Sequence, residues 1–250
     1  MRHLPLCIRF HHQGNGYRRT TGETASRPYT LSATDARFAV VISKPDVRSP
    51  TGMNSEHQHY LGQMNICIVG HGKVGTALGT GLTSAGHTVS YAGRDNTASA
   101  VTGADVVIVA AASMAVFDII EALKGLPAGT IVIDAMNSVA KSPDGYLTTT
   151  HAMQDRLPQV RVVKCFNSVG YEIMANPAFG AHRADMFMAG DDAEAKAVAH
   201  RLALDIGFSA CHDVGGSARF LSLEHLAMVW ISMAMGMGKG RSFAWHLLER

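Results

Sequence analysis

Little in this sequence of 250 residues could hold a metal, staple a small fold or cross a membrane. The four cysteines, Cys7, Cys67, Cys165 and Cys211, form no C-x-x-C pair and no zinc spacing. Cys67 and Cys165 lie inside apolar runs that read as strands, so they read as small buried residues of a protein in a reducing cytoplasm. No apolar run reaches about 18 residues, so no membrane partner is predicted. The nearest candidate, "LAMVWISMAMGMG" from Leu226 to Gly238, is too short, ends in glycines and reads as a core helix or a subunit contact. A net charge of +2 leaves no electrostatic footprint for a nucleic-acid partner. There is no G-x-S-x-G and no H-E-x-x-H. His182, His200 and His212 are scattered without ligand spacing, and the pair Glu224–His225 reads as surface or core satisfaction in an apolar helix. No internal repeat is present.

What remains is a chain of ordinary globular composition, long enough for one generous domain or two small ones. Its first 63 residues stand apart. They are rich in Arg, Ser, Thr, Gly and His, and they hold eight Lys/Arg against four Asp/Glu. Ala36 to Lys44 reads as one short strand without a partner. Such a segment cannot bury enough surface to offset its ordering entropy. Three readings stay open for residues 1–63: a disordered tail, a targeting peptide, or a non-native extension ahead of a natural start at Met64. The last is favoured, because "MNICIVG" opens directly on a strand.

That strand leads into the most informative stretch, "NICIVGHGKVGTALGTGL", Asn65 to Leu82. A short apolar run of this kind suits a parallel strand buried on both faces. Three glycines follow at G-x-G-x-x-G spacing. Gly70 permits a tight turn, Gly72 lets the backbone approach a pyrophosphate, and Gly75 allows close helix–strand packing. Val74, Ala77, Leu78, Gly81, Leu82 and Ala85 then make one apolar helical face, and Gly86 ends it. The free N–H groups and positive dipole end of that helix favour phosphate. "HTVSYAG" is a second strand, so the motif sits in the strand–turn–helix–strand context it needs. At the end of this strand Gly93 is followed by Arg94 and Asp95. A guanidinium there suits the 2′-phosphate of NADP, whereas the alternative has Asp95 reading the ribose of NAD.

Only ten residues, Asp95 to Ala104, precede the next buried strand, "DVVIVAA". That is room for one short crossover helix and no further strand, so one edge strand is expected to be missing. Strands follow at Ile131 to Asn137, Val160 to Asn167, Ala184 to Gly190 and around "FSACHDVG", with residues 217–248 mostly helical. Asp191 and Asp192 suit a helix start. The strand ends at His71 to Val74, Gly93 to Arg94, Ala111 to Ser113, Met136 to Ser138 and Cys165 to Gly170 are expected to converge on one cleft, because ligands of open parallel sheets sit at the carboxyl ends of strands.

Together "NICIVGHGKVGTALGTGL", "ADVVIVAA", "IVIDAMN", "VVKCFN" and "MFMAGDDAEAK" resemble the NADPH-dependent oxidoreductases of the deazaflavin coenzyme F-420. They are also similar to the reductase domain of the six-transmembrane metalloreductases. The resemblance covers residues 64–250. It implies a Rossmann-type doubly wound parallel sheet with a small helical C-terminal extension, often assembled as a homodimer. It implies NADP over His71, Gly72, Lys73 and Val74, with Gly93 and Arg94 at the 2′-phosphate. Ala111, Ala112 and Ser113 would flank the nicotinamide ribose and Asn137 the neighbouring loop. Asn167, Ser168 and Val169 would lie near the acceptor ring, a deazaflavin (coenzyme F-420) or a flavin such as FMN. This chain departs from the family in its short segment before "DVVIVA" and in carrying Ala-Ala-Ser where Pro is common.

Hydride transfer between stacked rings needs position and electrostatics from the protein rather than a dedicated acid or base. None is evident in the sequence. His71 is expected to contribute its backbone N–H. Lys73 either adds charge near the cofactor or faces solvent, and Lys164 either reaches the cleft or faces solvent at its strand edge, the latter favoured. Two other functions stay open. One is a regulator that senses NADP(H) without turnover. The other is an imine or ketone reductase of the pyrroline-5-carboxylate reductase type, disfavoured because only 34 residues, 217–250, follow the last strand.

Overall fold

The computed structural model describes residues 62–138 and 141–250. The readings of residues 1–63, including the strand over Ala36 to Lys44, lie outside the described residues except at their last two positions.

The chain alternates strand and helix from the start: β1 (Asn65–Val69), α1 (Lys73–Ser84), β2 (Thr88–Ala92), α2 (Thr97–Ala100), β3 (Val106–Val109), α3 (Val116–Leu123), β4 (Ile131–Asp134), α4 (Thr149–Arg156) and β5 (Arg161–Cys165). Then come α5 (Tyr171–Ala175), a hairpin of β6 (Ala178–Phe179) and β7 (His182–Arg183), β8 (Asp185–Ala189), α6 (Ala193–Ile206), β9 (Ala210–Asp213) and α7 (Phe220–Ile231). Seven strands form one sheet in the order β2-β1-β3-β4-β5-β8-β9. The first five are parallel. As the short Asp95–Ala104 segment requires, the crossover helix α2 is a single turn and β2 is left at the edge.

Strand periodicity divides the core. Ile66, Ile68, Val106, Ile108, Ile131 and Ile133 point to one face and pack on α1 and α6. Cys67, Val69, Val107, Val109 and Val132 point to the other and pack on α3 and α4. The central strands are therefore apolar along most of their length, as a parallel sheet covered on both sides demands, with Asp134 of β4 and Lys164 of β5 the buried exceptions. Leu78 and Leu82 of α1 are fully buried, worth about 1.5–3 kcal/mol each in removed apolar surface. Asp192 caps α6, accepting the Ala195 N–H at 2.8 Å, and Gly207 ends it with φ +111°.

The pairing of β8 with β5 is antiparallel, with Cys165 opposite Met188. Between these strands the chain makes only the five-residue α5 and the small hairpin. No element carries it back across the sheet, so β8 starts beside the carboxyl ends of the parallel strands and runs away from them. The C-terminal region corrects the sequence reading. Helix α7 is followed by a π-helical turn, Ser232–Gly236, and then by non-helical chain. Gly238 and Gly240, at φ +65° and +76°, take the chain out of the helix. The segment returns as a strap. Trp230 Nε1 donates to the Phe243 carbonyl, Trp245 Nε1 donates to the Ser168 carbonyl, and the Asp185 N–H donates to the Trp245 carbonyl.

Candidate functional site

The parallel topology puts the loops after β1 to β5 along one edge. The first is built almost wholly of backbone. Gly70 has φ +112° and donates its N–H to the Ala92 carbonyl at 2.9 Å. A Cβ there would come within 2.5 Å of the Ala110 oxygen. A Cβ on Gly75 would overlap the Gly70 carbonyl oxygen. These two glycines close β1, β3 and α1 on one another. Gly72 is different. It is the extended N-cap of α1, it is exposed, and a Cβ on it would meet nothing within 4 Å. No side chain caps this helix and its first turn holds no acidic residue. Its first N–H groups thus face open space at the positive end of the dipole. A pyrophosphate fits such a cradle.

The turn after β2 is held by its own side chains. Asn96 Oδ1 accepts the Gly93 N–H at 2.7 Å, and Thr97 Oγ1 donates to the Gly93 carbonyl at 2.6 Å. Arg94 and Asp95 are exposed beyond it. His71 turns its ring sideways to stack on Tyr91, with centroids 4.2 Å apart. Lys73 leans the other way, its Nζ 5.0 Å from the centre of the Tyr171 ring. The Arg241 guanidinium of the strap also lies against Tyr171, at 5.2 Å, and pairs with Glu172 at 2.6 Å. Burial alone would push the Glu172 carboxyl up, but Arg241 and neighbouring donors hold it below the ordinary carboxylate value. Val74 is half-buried against the core. Ala111 and Ala112 follow β3, and Ser113 opens a 3₁₀ turn that leads into α3.

The loops after β4 and β5 are made of side chains. Asn137 and Asn167 meet directly, Asn167 Nδ2 donating to Asn137 Oδ1 at 3.2 Å and to the Leu223 carbonyl at 3.3 Å. Asn167 is buried, yet its Oδ1 has no hydrogen-bond partner. A buried acceptor left in this state costs free energy until a donor reaches it. The preceding Phe166 sits at φ +62°, a conformation that costs a bulky residue on the order of 1–3 kcal/mol. The Ser168 side chain turns inward to Met186 Sδ.

Beneath these asparagines lies a polar cluster that the sequence reading missed. Lys164, expected at a solvent edge, is fully buried. Strand β5 is covered on both faces, so its lysine has no path to water. Its Nζ donates to the Met136 carbonyl at 2.6 Å and to Asp134 Oδ2 at 3.2 Å. It also lies 2.7 Å from Glu224 Oε1, an ion contact off the axis of a good hydrogen bond. Asp134 receives the hydroxyls of Thr149 and Thr150 at 2.7 and 2.6 Å, and the Met136 N–H at 2.9 Å. Glu224 Oε2 accepts the Ser138 N–H at 2.8 Å. The core-satisfaction reading of Glu224 therefore holds, with Lys164 and the Ser138 amide as its partners. Burial, aided by the Lys164 charge, lowers the nearby His151 pKa. One signal was legible. A lysine and an aspartate, each in a run otherwise fit only for the core, call for one another.

No family model matches this chain, and no curated protein does. Solved structures do share the fold. A candidate F420-dependent NADP-reductase from Arthrobacter sp. FB24 superposes with a TM-score of 0.66 at 24% identity, over 74% of this chain and 100% of that one. A hypothetical protein, SMa0349 of Sinorhizobium meliloti, gives 0.52 at 26% identity, over 65% and 90%. The imine reductase BcSIRED of Bacillus cereus gives 0.51 at 14% identity, over 70% of this chain but only 63% of its own. The Rossmann-type α/β architecture is thus established.

Proposed function

We propose that this chain is an NADP-dependent oxidoreductase that passes a hydride between NADPH and a deazaflavin or flavin acceptor, coenzyme F-420 or FMN. The observation that carries the reading is the open, uncapped N-terminus of α1 at Gly72, flanked by an exposed Arg94 after β2. The N–H groups of His71 to Val74 hold the pyrophosphate, and Arg94 forks onto the 2′-phosphate. Ala111, Ala112 and Ser113 line the nicotinamide ribose. Asn137 and Asn167 close the far end, where the buried Oδ1 of Asn167 lacks a partner that a ligand N–H would supply.

NADPH supplies the hydride itself, so the chain's own residues bind, orient and exclude water. The likeness to the Arthrobacter chain, spanned over its full length, favours this acceptor class. The imine reductase extends well beyond the shared part. The further likeness to the metalloreductase domain rests on sequence motifs alone, and assembly as a dimer belongs to the same reading.

The test is titration of the full chain with NADPH and NADH, then NADPH oxidation with F-420, FMN and riboflavin in parallel. Preference for NADPH that falls by about ten- to a hundredfold in Arg94→Ala supports the cofactor assignment, since a charge-assisted contact carries about 1.5–3 kcal/mol. Turnover on one ring names the acceptor. Tight binding without turnover on any ring points to a sensor instead, and binding of neither nucleotide overturns the reading.

A further inference from the structure

The Lys164 cluster has no role in cofactor contact, and its construction is costly. A buried cation and two buried carboxylates, Asp134 and Glu224, are drawn from β5, β4 and α7. Apolar residues of similar volume would stabilise the core as well or better. The hydrogen bonds point to what the cluster does. Lys164 grips the Met136 carbonyl, Asp134 holds the Met136 N–H, and Glu224 holds the Ser138 N–H. Met136 and Ser138 are the two neighbours of Asn137. The peptide groups on either side of Asn137 are thereby pinned from below, while its side chain is only half-buried. The partner amide, Asn167, is fixed from the same two elements, β5 and α7. It lies three residues beyond Lys164 on the same strand end, turned by the left-handed Phe166 and held by the Leu223 carbonyl one residue before Glu224. Lys164 and Glu224 thus meet both asparagines, one through β5 and the other through α7.

We propose that Lys164 is a positioning residue: through the Met136 carbonyl and the Glu224 carboxylate it fixes the Asn137–Asn167 amide pair that meets the nicotinamide end of the cofactor. This rests on the redox-site reading above. The Oδ1 of Asn167, buried and unpartnered beside the half-buried Asn137, is the acceptor the pair holds, and its complement is a ligand amide N–H such as that of the nicotinamide carboxamide. The adenosine end, bound by α1 and Arg94, does not depend on the cluster.

The separation of the two ends gives a test that needs no acceptor. NADP and 2′-phospho-ADP-ribose, which lacks the nicotinamide, are titrated against the full-length wild type, the charge-balanced pair Lys164→Met/Glu224→Gln, Asn167→Ala, and the triple variant. The paired change removes a cation and an anion together: Asp134 loses its cation but keeps its two threonine hydroxyls and the Met136 N–H, so one hydrogen-bonded carboxylate remains in place of two unpaired ones. The wild type should prefer NADP by about tenfold, the worth of a good buried hydrogen bond. The paired variant should lose most of that preference while its affinity for 2′-phospho-ADP-ribose stays within about twofold. Asn167→Ala should lose the same preference, and adding it to the pair should cost little more.

Equal loss of both ligands would make Lys164 a general structural residue and overturn the proposal. So would independent, additive effects of the pair and Asn167→Ala. Should the paired variant not fold, the all-neutral variant Asp134→Asn/Lys164→Met/Glu224→Gln, which leaves no buried charge and still removes the lysine from the Met136 carbonyl, is read in the same way. A wild type that binds neither ligand sinks the redox-site reading itself, which is a separate result.

Discussion

The two ends of the strand edge solve the same problem in opposite ways. Around β1 and β2 the site is backbone: glycines set the turn, the helix N-terminus supplies the charge, and His71, Lys73 and Arg94 are exposed. Around β4 and β5 it is side chain: Asp134, Asn167 and Lys164 are buried, bonded to one another or to loop peptides across three elements. A backbone site tolerates change at exposed side chains that do not meet the ligand, and none at the glycines that close it, Gly70 and Gly75. A side-chain site fails when any one partner leaves, because the others are then buried and unpaired.

The sharpest break in that contrast is Gly75→Leu. The new Cβ would occupy the Gly70 carbonyl oxygen, which is backbone and cannot move without separating α1 from β1. We expect loss of at least about 3 kcal/mol and no detectable nucleotide binding, read by chemical denaturation and by titration. At the other end Lys164→Met strands two buried carboxylates, for an expected loss of about 3–5 kcal/mol. The charge-balanced pair, in which only Asp134 is left without its cation, should recover part of it. If Lys164→Met proves neutral, the buried cluster is not ionic and the contrast fails.

These two ends also differ in how far the sequence could reveal them. The glycine loop was legible because its information is local: three glycines at fixed spacing between an apolar run and a helical face. The edge position of β2 was legible for a similar reason, since ten residues cannot hold a further strand. The cluster was legible only as a hint, a lysine and an aspartate in apolar runs, because Asp134, Lys164 and Glu224 are brought together by sheet order and by the return of α7. Period and propensity do not encode which strands are neighbours. The antiparallel turn of β8 escaped on the same ground. Its residues read as a strand in either direction, and only the short α5–hairpin connection decides.

A smaller effect reports on the cluster's charge directly. His151 has its pKa lowered first by burial and then by Lys164. A histidine depressed in the folded state contributes stability above its unfolded pKa of about 6.5, and that stability is lost as pH falls through the lower folded value. In the charge-balanced variant the cation is gone, so the His151 titration followed by NMR should move part of the way back toward about 6.5. An unmoved titration would mean that Lys164 does not act on His151, and burial alone depresses it.

The smallest expected effect is the most telling for the backbone end. His71 sits in the middle of the glycine loop, where a titratable ring invites a catalytic role. Its ring, however, is stacked on Tyr91 of the edge strand. Only its N–H belongs to the cradle, and every residue but proline supplies that group. His71→Ala should therefore leave NADPH affinity within about threefold and cost no more than about 1 kcal/mol of stability, the worth of an exposed ring stack on Tyr91. His71→Pro removes the N–H and should cost tenfold or more, about the worth of one charge-assisted hydrogen bond. The reverse order, with alanine severe and proline mild, would show that the loop works through its side chain after all. The two ends of the site would then differ in burial but not in kind.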